Sequence, residues 1–115
     1  MPLVEKKILL VEDDPKLRYV LQTLLEQRGC KLKVCEDAKC VRELDGEHTF
    51  DTAIVDVRLP LELGTDLARF LSQKYANLKI VFITGYDNLE RFEHRLDGAS
   101  LLVKPFDFET LWNLI

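Results

Sequence analysis

The sequence predicts an α/β domain, a parallel sheet wound on both faces by helices. Three observations point there. Short apolar runs rich in Val, Ile and Leu recur at 8–11, 53–55, 80–83 and 101–103, each fitting the centre of a buried strand. Between them lie segments whose apolar residues are spaced by three and four, the mark of a helix burying one side. Strand-like and helix-like segments alternate almost without exception, as they do where helices cover both faces of a parallel sheet.

The first strand is expected near residues 7–11. Leu17, Val20, Leu21, Leu24 and Leu25 then make one stripe of a helix, with Asp14 and Pro15 suited to its N-cap and first turn and Gly29 to its end. Residues 32–35 alternate weakly and read as an edge strand. Asp37 suits the cap of a short helix carrying Ala38, Val41 and Leu44 and ending at Gly46. The third strand is 52–56, followed by a loop with Pro60 and Gly64, then a helix over 65–75 that buries Leu67, Ala68, Phe70 and Leu71. A fourth strand at 79–84 leads to a short polar helix over 88–97 with Leu89, Phe92 and Leu96 inward. The fifth strand is 100–103, and Asp107 opens a last helix running to Ile115.

Composition narrows the function. A chain of 115 residues with 47% hydrophobic content makes one domain with a real core and excludes a disordered reading. Its expected extent is 1–115, with the core over 7–115, and the apolar last helix suggests a piece of a longer protein. No apolar run approaches the roughly 20 residues that span a bilayer, and no signal-peptide apolar region follows the N-terminus. A cytoplasmic location without membrane contact is the resulting expectation. The net charge of −4 and scattered basic residues argue against nucleic-acid binding. Cys30, Cys35 and Cys40 lack CxxC spacing and read as reduced structural thiols. His48 and His94 read as solvated and receive no role.

The strand ends carry the chemistry. The first run leads into Glu12-Asp13-Asp14, the third strand ends in Asp56, the fourth in Thr84, and the fifth leads into Lys104-Pro105. In an open α/β sheet, groups at the strands' carboxyl ends converge on one crevice. Carboxylates held that close repel, so a proton or a cation must join them. An oxygen-only set suits Mg²⁺. A carboxylate nucleophile, an amine and a hydroxyl around such an ion would make a phosphoryl-transfer site whose product is an aspartyl phosphate. Each group alone has an ordinary explanation as a cap or a strand end. Four strands placing complementary groups at one end do not.

These residues resemble a response-regulator receiver domain. The resemblance rests on Leu10-Val11-Glu12-Asp13-Asp14, Val55-Asp56-Val57-Arg58-Leu59-Pro60, Gly64 eight positions after Asp56, Thr84-Gly85, and Lys104-Pro105-Phe106. It covers roughly 7–115. Any one motif is weak, but five in order at these separations are specific. The resemblance implies a flavodoxin-like, doubly wound five-stranded parallel sheet in the order 2-1-3-4-5. It implies that Asp56 accepts phosphate from a phosphohistidine of a sensor histidine kinase or histidine phosphotransfer protein, in a Mg²⁺-dependent reaction of a two-component phosphorelay. Asp13 would bind the metal directly, Glu12 mainly through water, and the backbone carbonyl of Arg58 would add a ligand beside Asp56. Thr84 and Lys104 would engage the phosphoryl group, and the Lys104–Pro105 bond would be cis. No further cofactor is implied, and such a domain is a signalling phosphoacceptor rather than an enzyme acting on other molecules.

The sequence also departs from the pattern. Many receivers carry an aromatic residue three positions before the lysine, where this chain has Leu101. Tyr86 is a candidate replacement in the switch, and Arg58 is a candidate screen over the acceptor. The surface that such domains usually present to partners comprises the fourth helix, fifth strand and fifth helix, and a homodimer is compatible with it. A degenerate receiver acting as a phosphorylation-independent interaction module would lack one of Asp13, Asp56, Thr84 or Lys104, and none is missing. A metal-dependent nuclease would want a second acid where Arg58 stands, and a flavin- or nucleotide-binding module would want a phosphate-cradling loop where Glu12-Asp13-Asp14-Pro15 stands.

Overall fold

In chain order the computed structural model runs β1 (Lys7–Val11), α1 (Pro15–Gln27), β2 (Lys31–Cys35), α2 (Ala38–Arg42), β3 (Thr52–Asp56), β4 (Arg58–Leu59), β5 (Glu62–Leu63), α3 (Gly64–Lys74), β6 (Lys79–Thr84), β7 (Ser100–Val103) and α4 (Phe108–Leu114). It describes residues 5–44, 46, 48–59, 62–85 and 98–115. The helix expected over 88–97, with Tyr86, His94 and Pro60, lies outside the described residues.

Five strands form one sheet in the order β2-β1-β3-β6-β7, all paired in parallel. Counted along this sheet alone, these are its second, first, third, fourth and fifth strands. β4 and β5 pair antiparallel as a separate two-stranded ribbon that the sequence reading did not include. Strand alternation sorts the core into two layers. Leu9, Val11, Ala53, Val55, Ile80 and Phe82 face α2 and α3, against Val41, Leu67, Ala68 and Leu71. Ile8, Leu10, Ile54, Val81 and Ile83 face the other way, against Leu21 and Leu25 of α1 and Leu111 of α4. Each fully buried Leu or Ile contributes about 1.5–3 kcal/mol, so both layers matter to holding the strand ends in place.

The helix starts follow the sequence closely. Asp14 has extended backbone and accepts a hydrogen bond from Lys16 N at 3.0 Å, with Pro15 in the first turn of α1. Gly29, with φ +84°, follows the end of α1 in the left-handed region that glycine tolerates. Asp37 caps α2 through Cys40 N at 2.8 Å. Asp107 sits at the N-cap of α4 without a side-chain hydrogen bond.

Three expectations need correction. Val20 is exposed, at 48%, because it lies about 100° around α1 from Leu21 and beyond the face that Leu21 and Leu25 bury. Phe70 is half-buried, its ring covered by the Arg42 guanidinium at 4.5 Å. Cys35 and Cys40 are joined by a disulfide rather than reduced. Their five-residue spacing carries no signal by itself, but the end of β2 and the first turn of α2 bring the Cα atoms to 5.5 Å, within bonding range. Cys30 stays free and buried, its thiol pushed up by burial.

Candidate functional site

β1 and β3 are neighbours, in register from Ile8 opposite Thr52 to Val11 opposite Val55, so the residues following each strand emerge side by side. That places Glu12, Asp13 and Asp56 together, with one carboxylate oxygen of each within 4.8 Å of the others. The crevice lies where the chain's windings diverge on either side of β1 and β3, the place an open parallel sheet offers a ligand. Glu12 and Asp56 are buried, and Asp13 is exposed at the rim.

The loop after β1 is held from several sides. Glu12 N donates to Cys35 O at 3.1 Å, and Arg18 Nη1 reaches back to the carbonyls of Glu12 at 3.0 Å and Asp13 at 3.3 Å. Glu12 Oε2 accepts from Asp14 N at 3.0 Å. Asp56 is fixed on both oxygens: Oδ1 accepts from Arg58 N at 2.9 Å and Oδ2 from Lys104 Nζ at 3.0 Å. Lys104 Nζ also lies 3.0 Å from Glu12 Oε1, so one ammonium bridges two buried carboxylates. Lys104 is delivered by β7, its N–H donating to Thr84 O at 2.7 Å, and its bond to Pro105 is cis.

Electrostatics follow from this crowding. Burial, joined by the neighbouring Asp56 carboxyl, pushes the Glu12 carboxyl up to about 7, against the lowering influence of the Asp14 hydrogen bond and the Lys104 ammonium. Burial alone would lower Lys104, but its contacts with Glu12 and Asp56 outweigh that and raise it. Glu12 Oε1 is buried without a hydrogen bond, because the Lys104 ammonium nearby misses the geometry of a donated one. A buried, unsatisfied carboxylate oxygen beside two further carboxylates is a donor set that fits a hard divalent cation.

Thr84 is fully buried at the end of β6, its hydroxyl donating to Gly85 O at 3.2 Å rather than to the acid cluster. Leu101 is half-buried in β7 opposite Phe82 and packs into the α2/α3 layer. Arg58 is exposed in β4, and its backbone N–H is the group that reaches Asp56. Beside Lys104, a cavity of about 400 Å³ is lined by Asp14, Leu17, Pro105 and Phe106.

Gly64 has a role that the sequence reading did not identify. A Cβ at this position would lie 2.0 Å from Asp56 O and 2.8 Å from Asp56 C. Its N–H donates to Val57 O at 2.8 Å, so α3 starts directly against the backbone of the third strand's end. The glycine eight positions after Asp56 was visible, but its partner is a backbone carbonyl that only the folded chain brings close.

The chain matches the response regulator receiver domain family over residues 8–115. It is 30% identical to the response regulator protein PilR of Pseudomonas aeruginosa over 112 residues, covering 96% of this chain but 25% of that protein. To the response regulator receiver protein CpdR of Brucella abortus it is 33% identical, covering 96% of this chain and 93% of CpdR. The non-phosphorylated HemR receiver domain from Leptospira biflexa superposes with a TM-score of 0.80 at 30% identity, covering 96% of this chain and 90% of that one. Among the described residues, no helix is long and apolar enough to cross a membrane.

Proposed function

The chain belongs to the response regulator receiver family, and from that premise we propose that Asp56 is its phosphoacceptor, charged by the phosphohistidine of a sensor kinase or phosphotransfer protein. The observation that carries this reading is the single ammonium of Lys104, 3.0 Å from both Glu12 and Asp56, beside a third carboxylate. In the reaction an Asp56 carboxylate oxygen attacks phosphorus, an O–P bond forms and the N–P bond breaks, leaving its electron pair on the imidazole nitrogen. The hydrogen bond from Arg58 N holds the carboxylate's orientation during the approach. Lys104 supplies positive charge where the phosphoryl oxygens arrive and can exchange its hold on Asp56 for one on the product.

Glu12, Asp13 and Asp56 are the side chains that would hold Mg²⁺, with the Arg58 carbonyl as a further ligand. When bound, Mg²⁺ supplies charge that offsets the repulsion between these carboxylates and an incoming phosphoryl group. Thr84 acts as the switch. Its hydroxyl is engaged with Gly85 O until an anion on Asp56 offers a stronger acceptor, and its movement then favours one of two pre-existing arrangements of β7 and α4. Leu101 repacks against Phe82 in place of an aromatic swing.

Incubation with acetyl phosphate and Mg²⁺, read by intact mass, tests the proposal. One added phosphate is expected, absent from Asp56→Asn and from a metal-free control. Mass gain that persists in Asp56→Asn, or no gain from acetyl phosphate or a phosphorylated histidine donor, overturns it.

A further inference from the structure

We propose that Cys35 and Cys40 form a reversible redox site, exchanging with a small-molecule thiol of the glutathione class, whose state sets how readily Asp56 is phosphorylated. The coupling rests on the reading of Asp56 as the phosphoacceptor; the redox site does not.

The bond is poorly placed to be a structural staple. It joins residues five positions apart, and closing so short a loop removes little freedom from the unfolded chain. The segment is also already tied by the hydrogen bond from Cys40 N to Asp37. Its accessibility suits exchange. Cys35 is buried at 1%, whereas Cys40 is half-buried at the edge of the core, which makes Cys40 the more accessible of the two to an incoming thiolate. A new S–S bond forms there as the Cys35–Cys40 bond breaks, and Cys35 leaves as thiolate and takes a proton. A second thiol attacks the mixed disulfide, releasing Cys40 as its thiol and the reagent as its own disulfide. Two reagent thiols are oxidised and one protein disulfide reduced. Reagent disulfide reverses both steps.

Both cysteines lead to the acid cluster. The Cys35 carbonyl accepts from Glu12 N at 3.1 Å, at the base of the β1 loop. From Cys40 the path runs along α2, where Arg42 holds both oxygens of Glu62, Nη2 to Oε2 at 2.5 Å and Nε to Oε1 at 3.3 Å. Glu62 lies in β5, paired opposite Leu59 of β4. The residue before Leu59 is Arg58, whose N–H holds Asp56 Oδ1. α2 has five residues, too few to persist as a helix without outside support. The disulfide adds to the Asp37 cap in that support, so reduction leaves the first turn of α2 on its cap hydrogen bond alone, slackens the Arg42–Glu62 clamp and loosens the hold on Asp56.

The test begins with the full chain equilibrated in glutathione buffers of stepped reduced-to-oxidised ratio, then acid-quenched, alkylated in denaturant and weighed. The reduced protein takes three alkyl groups and the oxidised protein one, on Cys30. A reversible midpoint within the glutathione range is expected, in the unaltered chain and in Asp56→Asn alike. Three groups at every ratio, or one at every ratio, overturns the redox site whatever Asp56 does. Acetyl phosphate and Mg²⁺ are then added to each form. The oxidised protein should phosphorylate at least about threefold faster, and Cys40→Ser should match the reduced rate in both buffers. Equal rates in the two forms overturn the coupling while leaving both sites standing. If neither form is phosphorylated by acetyl phosphate or by a phosphorylated histidine donor, the reading of Asp56 fails, and exchange of the Arg58 amide decides the coupling. Faster exchange on reduction supports it, and unchanged exchange overturns it.

Discussion

Gly64→Ala adds one methyl group at a helix start that has no room for it. The new Cβ would sit 2.0 Å from Asp56 O, 2.8 Å from Asp56 C and 2.9 Å from Val57 Cα, all backbone atoms with no flexible end to swing aside. Relief requires the α3 start and the end of β3 to part by about 1 Å, enough to break a hydrogen bond as short as Gly64 N to Val57 O at 2.8 Å. Overpacking of this kind costs about 1–3 kcal/mol and the lost hydrogen bond about 1 more, less a few tenths recovered from alanine's helix preference. A net loss of about 2–3 kcal/mol is a large share of the 5–15 kcal/mol typical of a domain. Urea unfolding should show the midpoint falling by about 1–2 M with an unchanged slope. Phosphorylation should slow as well, because the displaced atoms are the backbone of Asp56, the proposed acceptor. Gly46→Ala is the matched control: nothing lies within 4 Å of its added Cβ, and its stability should stay within about 0.5 kcal/mol. A Gly64→Ala protein as stable as the Gly46→Ala control would refute the close-approach argument.

Three further outcomes follow from the site. The Glu12 carboxyl is raised to about 7 in the fold from 4.5, so between those values the native state binds more protons than the unfolded chain, and metal-free stability should fall as pH rises through that window. The loss is on the order of 3 kcal/mol, and Glu12→Gln should flatten it; parallel pH profiles for the two proteins by urea unfolding would contradict this. Lys104→Met removes the bridge between Glu12 and Asp56, and should cost about 2–3 kcal/mol in metal-free protein at pH 8 while tightening Mg²⁺ binding by calorimetry. Unchanged Mg²⁺ affinity would show that the ammonium does not compete for that space. Arg58→Ala keeps the backbone N–H to Asp56 but removes the side chain proposed as a water screen, and should shorten the phosphoryl lifetime severalfold by intact-mass decay. An equal lifetime would remove Arg58 as a water screen.

The strands, the caps and the convergence of Glu12, Asp13, Asp56 and Lys104 were legible in the sequence, because each rests on a local rule. Apolar runs become buried strands, an Asp before Pro15 or Ala38 starts a helix, and parallel strands deliver their carboxyl ends to one side. What the tertiary structure decided depends on distances between segments far apart in the chain. The sequence placed a lysine near two acids, but only the packed β1, β3 and β7 put its ammonium midway between Glu12 and Asp56. It showed a glycine after the third strand, but the carbonyl that forbids a side chain there belongs to Asp56, eight residues away across the ribbon. It showed two cysteines with an uninformative spacing, and their bond exists because β2 ends where α2 begins. Periodicity and capping act over one or two turns of chain and leave a local trace. A 3 Å contact between distant residues is set by the sum of all the packing between them, and no single stretch of sequence records it.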